Sequence, residues 1–229
     1  MVKSMGPGST AFAQPPVTAH SRLIVMQAPD TGLPRWLVTW RSRAGFELVA
    51  TPTMPAEEAQ PCPGVAAGWA RVVNDIAEAT AAGTAVLVNR SSWSEPEEPR
   101  VVAAVQQLPD DTDVLSDAAA CAAVLRGSVL VLHGTPVSFA ERSVGLDSAL
   151  NRGLDTLDAG VRFLADHRFG VPASSRLLRV HPHELVNDRL EANLLVVGGS
   201  RVDGAPGLGR VARSAVRHAP CPVVITPRR

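Results

Sequence analysis

The stretch LLVVGGSRVDGAPGLGRVARSAVRHAPCPVVI, residues 194 to 225, decides the fold of this chain. Its patterning predicts a buried strand, a glycine-rich loop, a helix over residues 209–218 and a second buried strand. Five glycines lie between the first strand and the helix: Gly198, Gly199, Gly204, Gly207 and Gly209. Glycine lets the backbone approach a ligand closely, and a helix start offers free N–H groups to an anion. The loop from residue 198 to 210 is therefore the first candidate for a ligand site.

The same alternation of strand and helix extends backwards to residue 100. Apolar runs predict strands at residues 101–105, 128–132, 176–180, 194–197 and 222–226, with helical patterns between them. Leucines and valines from Leu146 to Leu164 form one long amphipathic stripe. Five short strands separated by helices predict a parallel sheet that is covered on both faces. Ligands of such sheets bind beyond the carboxyl ends of the strands.

The first ninety residues have a different pattern. Residues 22–28, 35–41 and 46–51 are predicted strands, with a hairpin turn at 42–45, because Trp36, Val38 and Trp40 alternate as on one face of a strand. One helix is predicted over 65–79, followed by a strand at 84–89. This half is expected to be a β-rich unit with a single helix.

Four segments follow from these patterns. Residues 1–20, which are rich in Gly, Pro, Ser and Ala, are expected to be a disordered leader. Residues 21–90 form the small N-terminal unit, the Pro- and Glu-rich residues 91–99 form a linker, and residues 100–229 form the α/β domain.

Composition excludes several classes of partner. The 229 residues carry 22 basic and 22 acidic side chains, so the formal net charge is zero and bulk attraction to nucleic acid or to an acidic membrane surface is not expected. No apolar run reaches transmembrane length. Three scattered cysteines without a C-x-x-C motif favour a reducing compartment, so we expect a cytoplasmic protein.

Charge is nevertheless uneven along the chain. From residue 201 to the end there are six arginines and a single acidic residue, Asp203. The C-terminal loop and helix are therefore expected to form a locally cationic face.

No established catalytic motif is present, so no catalytic residue is assigned. The sequence lacks G-x-S-x-G, H-E-x-x-H and the P-loop pattern. His181, His183 and Glu184 could suggest a metal, with His133 as a further ligand in the fold, but no complete set of four ligands is evident. We therefore expect no metal, and interpret these histidines as loop residues with Glu184 at a helix start.

Residues 100–227 resemble a universal stress protein domain. The resemblance rests on VVAAV at 101–105, LVLH at 130–133, LLVVGGSR at 194–201 and VRHAPCPVV at 216–224. It implies a flavodoxin-like (Rossmann-like) α/β domain with a five-stranded parallel sheet in the order 3-2-1-4-5. It also implies a homodimer, which would form here through Val223–Thr226. The alternative is that the N-terminal unit covers this strand edge.

Many members of that family bind ATP, and this sequence departs from their motif. Val202 stands at the second glycine position, the loop is about three residues short, Arg210 replaces a hydroxyl residue, and Gln106 replaces an aspartate. These departures favour weak or absent ATP binding, so no cofactor is certain, and ATP or another adenine nucleotide stays the candidate. By position, the resemblance offers these candidate contacts: Gly199, Ser200, Arg201, Gly207, Gly209, Arg210, Arg213, Gln106, His133 and Gly134.

Three functions remain open from the sequence. The first is a non-enzymatic regulatory or binding module of the stress response with a diverged nucleotide pocket. The second is an ATP-binding protein with slow ATPase or phosphotransfer activity, for which Asp203 is the acid available within the loop. The third is a dimerising scaffold without a ligand.

Overall fold

The structure is a computed structural model that describes residues 22–27, 33–50, 63–89, 98–135, 146–186, 190–199 and 207–228, with the backbone alone for residues 50, 63–70, 146, 182 and 183. The predicted leader, and residues 91–97 of the predicted linker, lie outside the described residues.

Within these ranges the chain forms one sheet with helices on both faces. The strands are β1 (Arg22–Gln27), β2 (Glu47–Ala50), β3 (Ala85–Asn89), β4 (Arg100–Ala104), β5 (Ser128–Gly134), β6 (Ala173–Leu178), β7 (Leu194–Gly198) and β8 (Val223–Thr226). The helices are α1 (Arg35–Ala44), α2 (Pro63–Ala81), α3 (Thr112–Leu125), α4 (Leu146–Asp166) and α5 (Arg210–His218), and a 3-10 helix spans Pro182–Leu185.

The C-terminal strands confirm the predicted α/β class and order. The sheet runs β2-β1-β3-β8-β7-β4-β5-β6. Strands β4 to β8, numbered within their own unit, therefore lie in the order 3-2-1-4-5, and every pair among them is parallel. The sheet as a whole has eight strands rather than five, because the N-terminal unit extends it.

The predicted hairpin at residues 35–51 is wrong. Residues 35–44 form helix α1, and β2 pairs parallel to β1 rather than antiparallel to a neighbouring strand. Trp36 and Trp40 are buried four residues apart, as on one face of a helix, whereas Val38 between them is 53% exposed. Gly45 ends the helix in the left-handed conformation, with φ +71°, and donates its N–H to the Arg41 carbonyl. The N-terminal unit thus contains two helices and three parallel strands.

The two parallel blocks of the sheet meet at the only antiparallel pair among the described strands. In this pair Val86 lies opposite Ile225, Leu87 opposite Val224 and Val88 opposite Val223. The other side of β8 pairs with β7, so both of its edges are occupied within the chain. The predicted homodimer through Val223–Thr226 is therefore wrong: the backbone groups that a second copy would need already bond to β3. The alternative, cover by the N-terminal unit, is the one observed.

The core consists of two apolar layers, one on each face of the sheet. One layer holds buried residues of α1, α3 and α4, including Trp40 and Leu115. The other holds those of α2 and α5, including Ile76 and Val216. A buried hydrogen bond from the Thr226 hydroxyl to the Asp117 carboxylate (2.7 Å) ties the end of β8 to α3. Helices on both faces leave the strand ends as the open part of the sheet.

Candidate functional site

A cavity of about 270 Å³ opens at the carboxyl ends of β4, β5 and β7, beside the start of α5. Strand β4 lies between β5 and β7, so the chain changes direction across the sheet at this point. This is where ligands bind in open α/β sheets. The lining comprises Ala104, Val105, Gln106, His133, Gly134, Leu185, Val197, Gly198, Gly209, Arg210, Val211, Ala212 and Arg228.

Half of the candidate contacts from the sequence line this cavity. They are Gln106, His133, Gly134, Gly209 and Arg210. Gly199 lies behind the cavity instead, where its N–H bonds to the Thr226 carbonyl (2.7 Å) and its Cα faces Thr80. Gly207 and Arg213 are not among the lining residues, and Ser200 and Arg201 lie outside the described residues.

An ion pair that the sequence does not reveal closes one side of the cavity. Arg228, two residues beyond β8, places Nη2 2.6 Å from Oδ1 of Asp111. The Asp111 side chain is fully buried, and the Arg228 side chain retains 20% exposure. The other carboxylate oxygen of Asp111 accepts the backbone N–H groups of Gln106 (2.5 Å) and Gln107 (3.1 Å). The buried carboxylate is thus compensated by one cation and two peptide donors.

The guanidinium of Arg228 rests directly on the backbone of Gly198. A Cβ at position 198 would lie 2.5 Å from Nε of Arg228 and 3.0 Å from its Cζ. Glycine at this point therefore admits an arginine rather than leaving open backbone for a ligand. The Nε atom of Arg228 is itself buried and has no hydrogen-bond partner within the described residues.

His133 forms the opposite wall at the end of β5. Its Nδ1 lies 3.0 Å from the Val105 carbonyl oxygen, which can only accept, so Nδ1 carries the proton and Nε2 is left as an acceptor. Burial lowers the pKa of His133, while the bond to Val105 and the charge of Asp111 act in the opposite direction. Gly153 of α4 lets the helix approach, since a Cβ there would lie 3.1 Å from the His133 ring. The ring is therefore a neutral, fixed acceptor at pH 7.

The start of α5 supplies the positive end of the cavity. Gly209 precedes the helix without a side-chain cap, and the first turn contains no acidic residue. Arg210 is exposed, lines the cavity, and forms no ion pair within the described residues. The lining therefore combines two arginines, a neutral imidazole and an apolar floor, with the buried carboxylate of Asp111 behind Arg228.

Among the described residues, the cavity lining contains no acidic side chain. Oδ2 of Asp111, behind the lining, accepts the N–H groups of Gln106 and Gln107, and its Oδ1 forms the ion pair with Arg228. In the described part of the chain, no three His, Cys, Asp or Glu side chains gather closely enough to hold a metal ion. The His183 side chain and Asp203 lie outside that part.

Gly198 belongs to the loop predicted as the candidate site, whereas sequence reasoning missed Leu185 and Arg228 in the lining and Asp111 behind it. Asp111 and Arg228 are separated by more than a hundred residues, so no local pattern pairs them. One local signal existed. Asp111 lies five residues after Gln106, just beyond the buried strand β4, and an aspartate at such a position can accept hydrogen bonds from the free N–H groups that follow the strand.

The C-terminal part of the chain matches a known protein family. The sequence profile described as "Universal stress protein family" matches residues 99–227, which is more than half of the chain. The chain belongs to the universal stress protein family. A comparison with curated protein sequences found no match.

Solved universal stress proteins share the fold. A putative universal stress protein from Pseudomonas aeruginosa is 14% identical, with a TM-score of 0.54 over 93% of this chain and 95% of its own. One from Archaeoglobus fulgidus is 16% identical, with a TM-score of 0.52 over 85% and 67%. A shorter one from Archaeoglobus fulgidus is 25% identical, with a TM-score of 0.49 over 57% and 99%. The first of these is similar in fold to this chain over most of its length, the N-terminal unit included.

Among the helices that the structure describes, none combines the length and the hydropathy that a bilayer span requires.

Proposed function

We propose that this universal stress protein is a non-catalytic binding module of the stress response, acting in the cytoplasm, whose cavity binds ATP weakly or not at all. The observation that carries the proposal is the ion pair between Arg228 and Asp111, which lies over Gly198. The resemblance described above makes the glycine loop the place for phosphates. In this chain a guanidinium rests against the first glycine of that loop.

The cavity favours a small ligand over a triphosphate. Its volume of about 270 Å³ is near the lower limit of ligand pockets, which span roughly 300–1,000 Å³. A triphosphate beside Gly198 would also compete with the buried Asp111 carboxylate for Arg228, which costs part of the stability of that pair. A nucleoside or monophosphate could use Nε2 of His133 as an acceptor and the N–H groups at the start of α5 as donors.

No acidic side chain lines the cavity among the described residues, which favours binding without turnover. Hydrolysis or phosphoryl transfer needs a group that holds Mg²⁺ or orients the nucleophile. Asp111 is fully buried and paired, and the neutral His133 has one nitrogen engaged with Val105. Asp203, the acid that the alternative ATPase hypothesis requires, lies outside the described residues.

Isothermal titration calorimetry tests the proposal directly. The purified chain is titrated with MgATP, ADP, AMP and adenosine, and phosphate release from ATP is measured in parallel. We expect no saturable heat with MgATP at micromolar concentrations and no phosphate release above the protein-free rate. AMP or adenosine should bind more tightly than ATP.

A matched variant sharpens the test. Arg228→Gln combined with Asp111→Asn removes both charges together, so that no carboxylate is left buried without a partner. We expect this double variant to bind MgATP more tightly than the parent chain. Micromolar MgATP binding by the parent, or phosphate release that Asp203→Asn abolishes, would contradict the proposal.

A further inference from the structure

Two of the arginines on α5 have no role in the cavity. Arg213 and Arg217 are exposed, and neither lines it. Arg210 does, and it begins the same helix. Together the three arginines, which we call the arginine row, occupy positions three and seven residues apart. At 3.6 residues per turn this spacing places them on one side of α5.

The opposite side of α5 holds the row rigidly in place. Ala212, Ala215 and Val216 are buried in the apolar layer beneath the helix, with at most 1% exposure. The helix therefore cannot roll to hide its arginines without losing this contact. The row extends about 10 Å along the helix axis, at 1.5 Å per residue.

Among the described residues, no acidic side chain neutralises the arginine row. None of the three guanidinium groups forms an ion pair within the described residues. Arg213 makes one long contact, from Nη2 to the Leu208 carbonyl at 3.5 Å. Residues 207–228 contain no Asp or Glu. Glu184, on the neighbouring 3-10 helix, turns its carboxylate to the His181 N–H at 3.1 Å.

The chemistry of the row fits carboxylates on an extended segment. Each guanidinium can hold a carboxylate through two parallel N–H···O bonds. Alternate side chains of an extended peptide lie about 6.6 Å apart, close to the axial steps of about 4.5 and 6 Å between successive arginines. Single-stranded nucleic acid fits less well, because residues 207–228 offer no Phe, Trp or Tyr on which bases could stack.

We propose that Arg210, Arg213 and Arg217 form a docking surface for an acidic segment of a partner protein. Arg210 belongs both to this surface and to the cavity lining, so the surface begins at the mouth of the cavity. A partner seated on it would cover that mouth. The proposal goes beyond the proposed function and does not depend on whether a nucleotide binds.

A hexaglutamate peptide labelled with a fluorophore probes the surface by anisotropy at about 20 mM salt. We expect binding by the full chain that weakens steeply when salt is raised to about 150 mM, because exposed charges are screened over about 8 Å there. Arg213→Glu with Arg217→Glu should weaken binding by at least about tenfold. These two residues lie outside the cavity lining, so the affinity for AMP measured by calorimetry should be unchanged.

The control is Arg152→Glu with Arg162→Glu, which reverses two exposed arginines on α4 instead. If both double variants weaken binding equally, the effect reflects net charge and the proposal is overturned. It is also overturned if the peptide does not bind, or if inorganic tripolyphosphate or a six-nucleotide thymidine strand binds more tightly than the peptide. Arg213→Gln with Arg217→Gln provides a milder pair should charge reversal prevent folding.

Discussion

The N-terminal and C-terminal units follow the same path through one sheet, yet only the C-terminal one forms a described cavity. In each, the first strand is central, with the second on one side and a later strand on the other: β2-β1-β3 and β5-β4-β7. The C-terminal unit adds β6 with α4 and β8 with α5. The cavity uses the start of α5 and the residue Arg228 that follows β8, and the N-terminal unit ends before either could appear.

This difference shows that one arrangement of strands serves two purposes. The C-terminal unit uses its strand ends to hold polar groups around a cavity. The N-terminal unit uses its last strand, β3, to complete the hydrogen bonds of β8. Cover of an exposed edge requires only a strand of the right length, whereas a ligand site needs a helix start and charges beyond the strands.

Removing the N-terminal unit should have the largest effect. A chain beginning at residue 98 exposes the apolar edge of β8, whose four residues are all buried in the full chain. We expect it to dimerise through this edge or to aggregate. Sedimentation velocity compares its mass with that of the full chain. A shortened chain with no greater tendency to associate than the full chain would show that β3 is not the cover we describe.

The β3–β8 junction should also be sensitive to a single truncation. Leu87→Ala removes a fully buried side chain opposite Val224, so unfolding free energy should fall by about 3 kcal/mol. Leu154→Ala on α4 is the matched control, because Leu154 is 48% exposed. Urea denaturation measures both. Equal losses would mean that the junction contributes no more than the surface does.

The ion pair between Arg228 and Asp111 should contribute less to the unfolding free energy than Leu87 does at the junction, but more than a surface ion pair does. Arg228→Gln leaves the Asp111 carboxylate buried without its cation, at a cost of about 2 kcal/mol after allowance for the partial exposure of Arg228. Arg100→Gln breaks the exposed pair with Glu191 and should cost less than about 0.5 kcal/mol. A larger loss for Arg100→Gln in thermal denaturation would reverse this ranking.

The smallest effect concerns pH at the cavity wall. The pKa of His133 is lowered in the folded protein, so below about pH 6.5 the unfolded chain takes up a proton that the folded chain refuses. The folded state is therefore most stable above the unfolded pKa of His133, and it loses stability as pH falls from there towards the folded pKa. His133→Gln should therefore flatten the decline of Tm between pH 7.5 and 5.5. The other five histidines remain in both proteins, so parallel curves would refute this assignment.

The sequence predicts the secondary structure of the C-terminal unit better than that of the N-terminal unit. Strands β4, β5 and β7 are continuous apolar runs bounded by polar or glycine residues, and nearby residues suffice to recognise them. The alternation of Trp36, Val38 and Trp40 predicts a strand at residues 35–41, where helix α1 forms. Two features of the sequence indicate a helix instead: Gly45, which can end one, and the spacing of Trp36 and Trp40 four residues apart. The alternation of aromatic residues is the stronger of the two patterns.

The candidate site was predictable only as far as its parts are local. Gly209, Arg210 and His133 follow or precede recognisable strands and helices, so their convergence on one edge of the sheet could be expected. The contact between Arg228 and Asp111 instead depends on the path of the chain after β8, which brings Arg228 against Gly198 at the end of β7. The antiparallel junction likewise depends on two strands that are more than a hundred residues apart, and no window of sequence contains both.

The antiparallel junction also fixes the polarity of the molecule. Because the strand direction reverses between β3 and β8, the carboxyl ends of β1 and β3 emerge at the rim opposite to the cavity. The two rims are separated by the length of a five-residue strand, about 17 Å. Anything that docks at Gln27 and Asn89 would therefore face away from anything held beside His133, and the two faces of this protein could engage different molecules without collision.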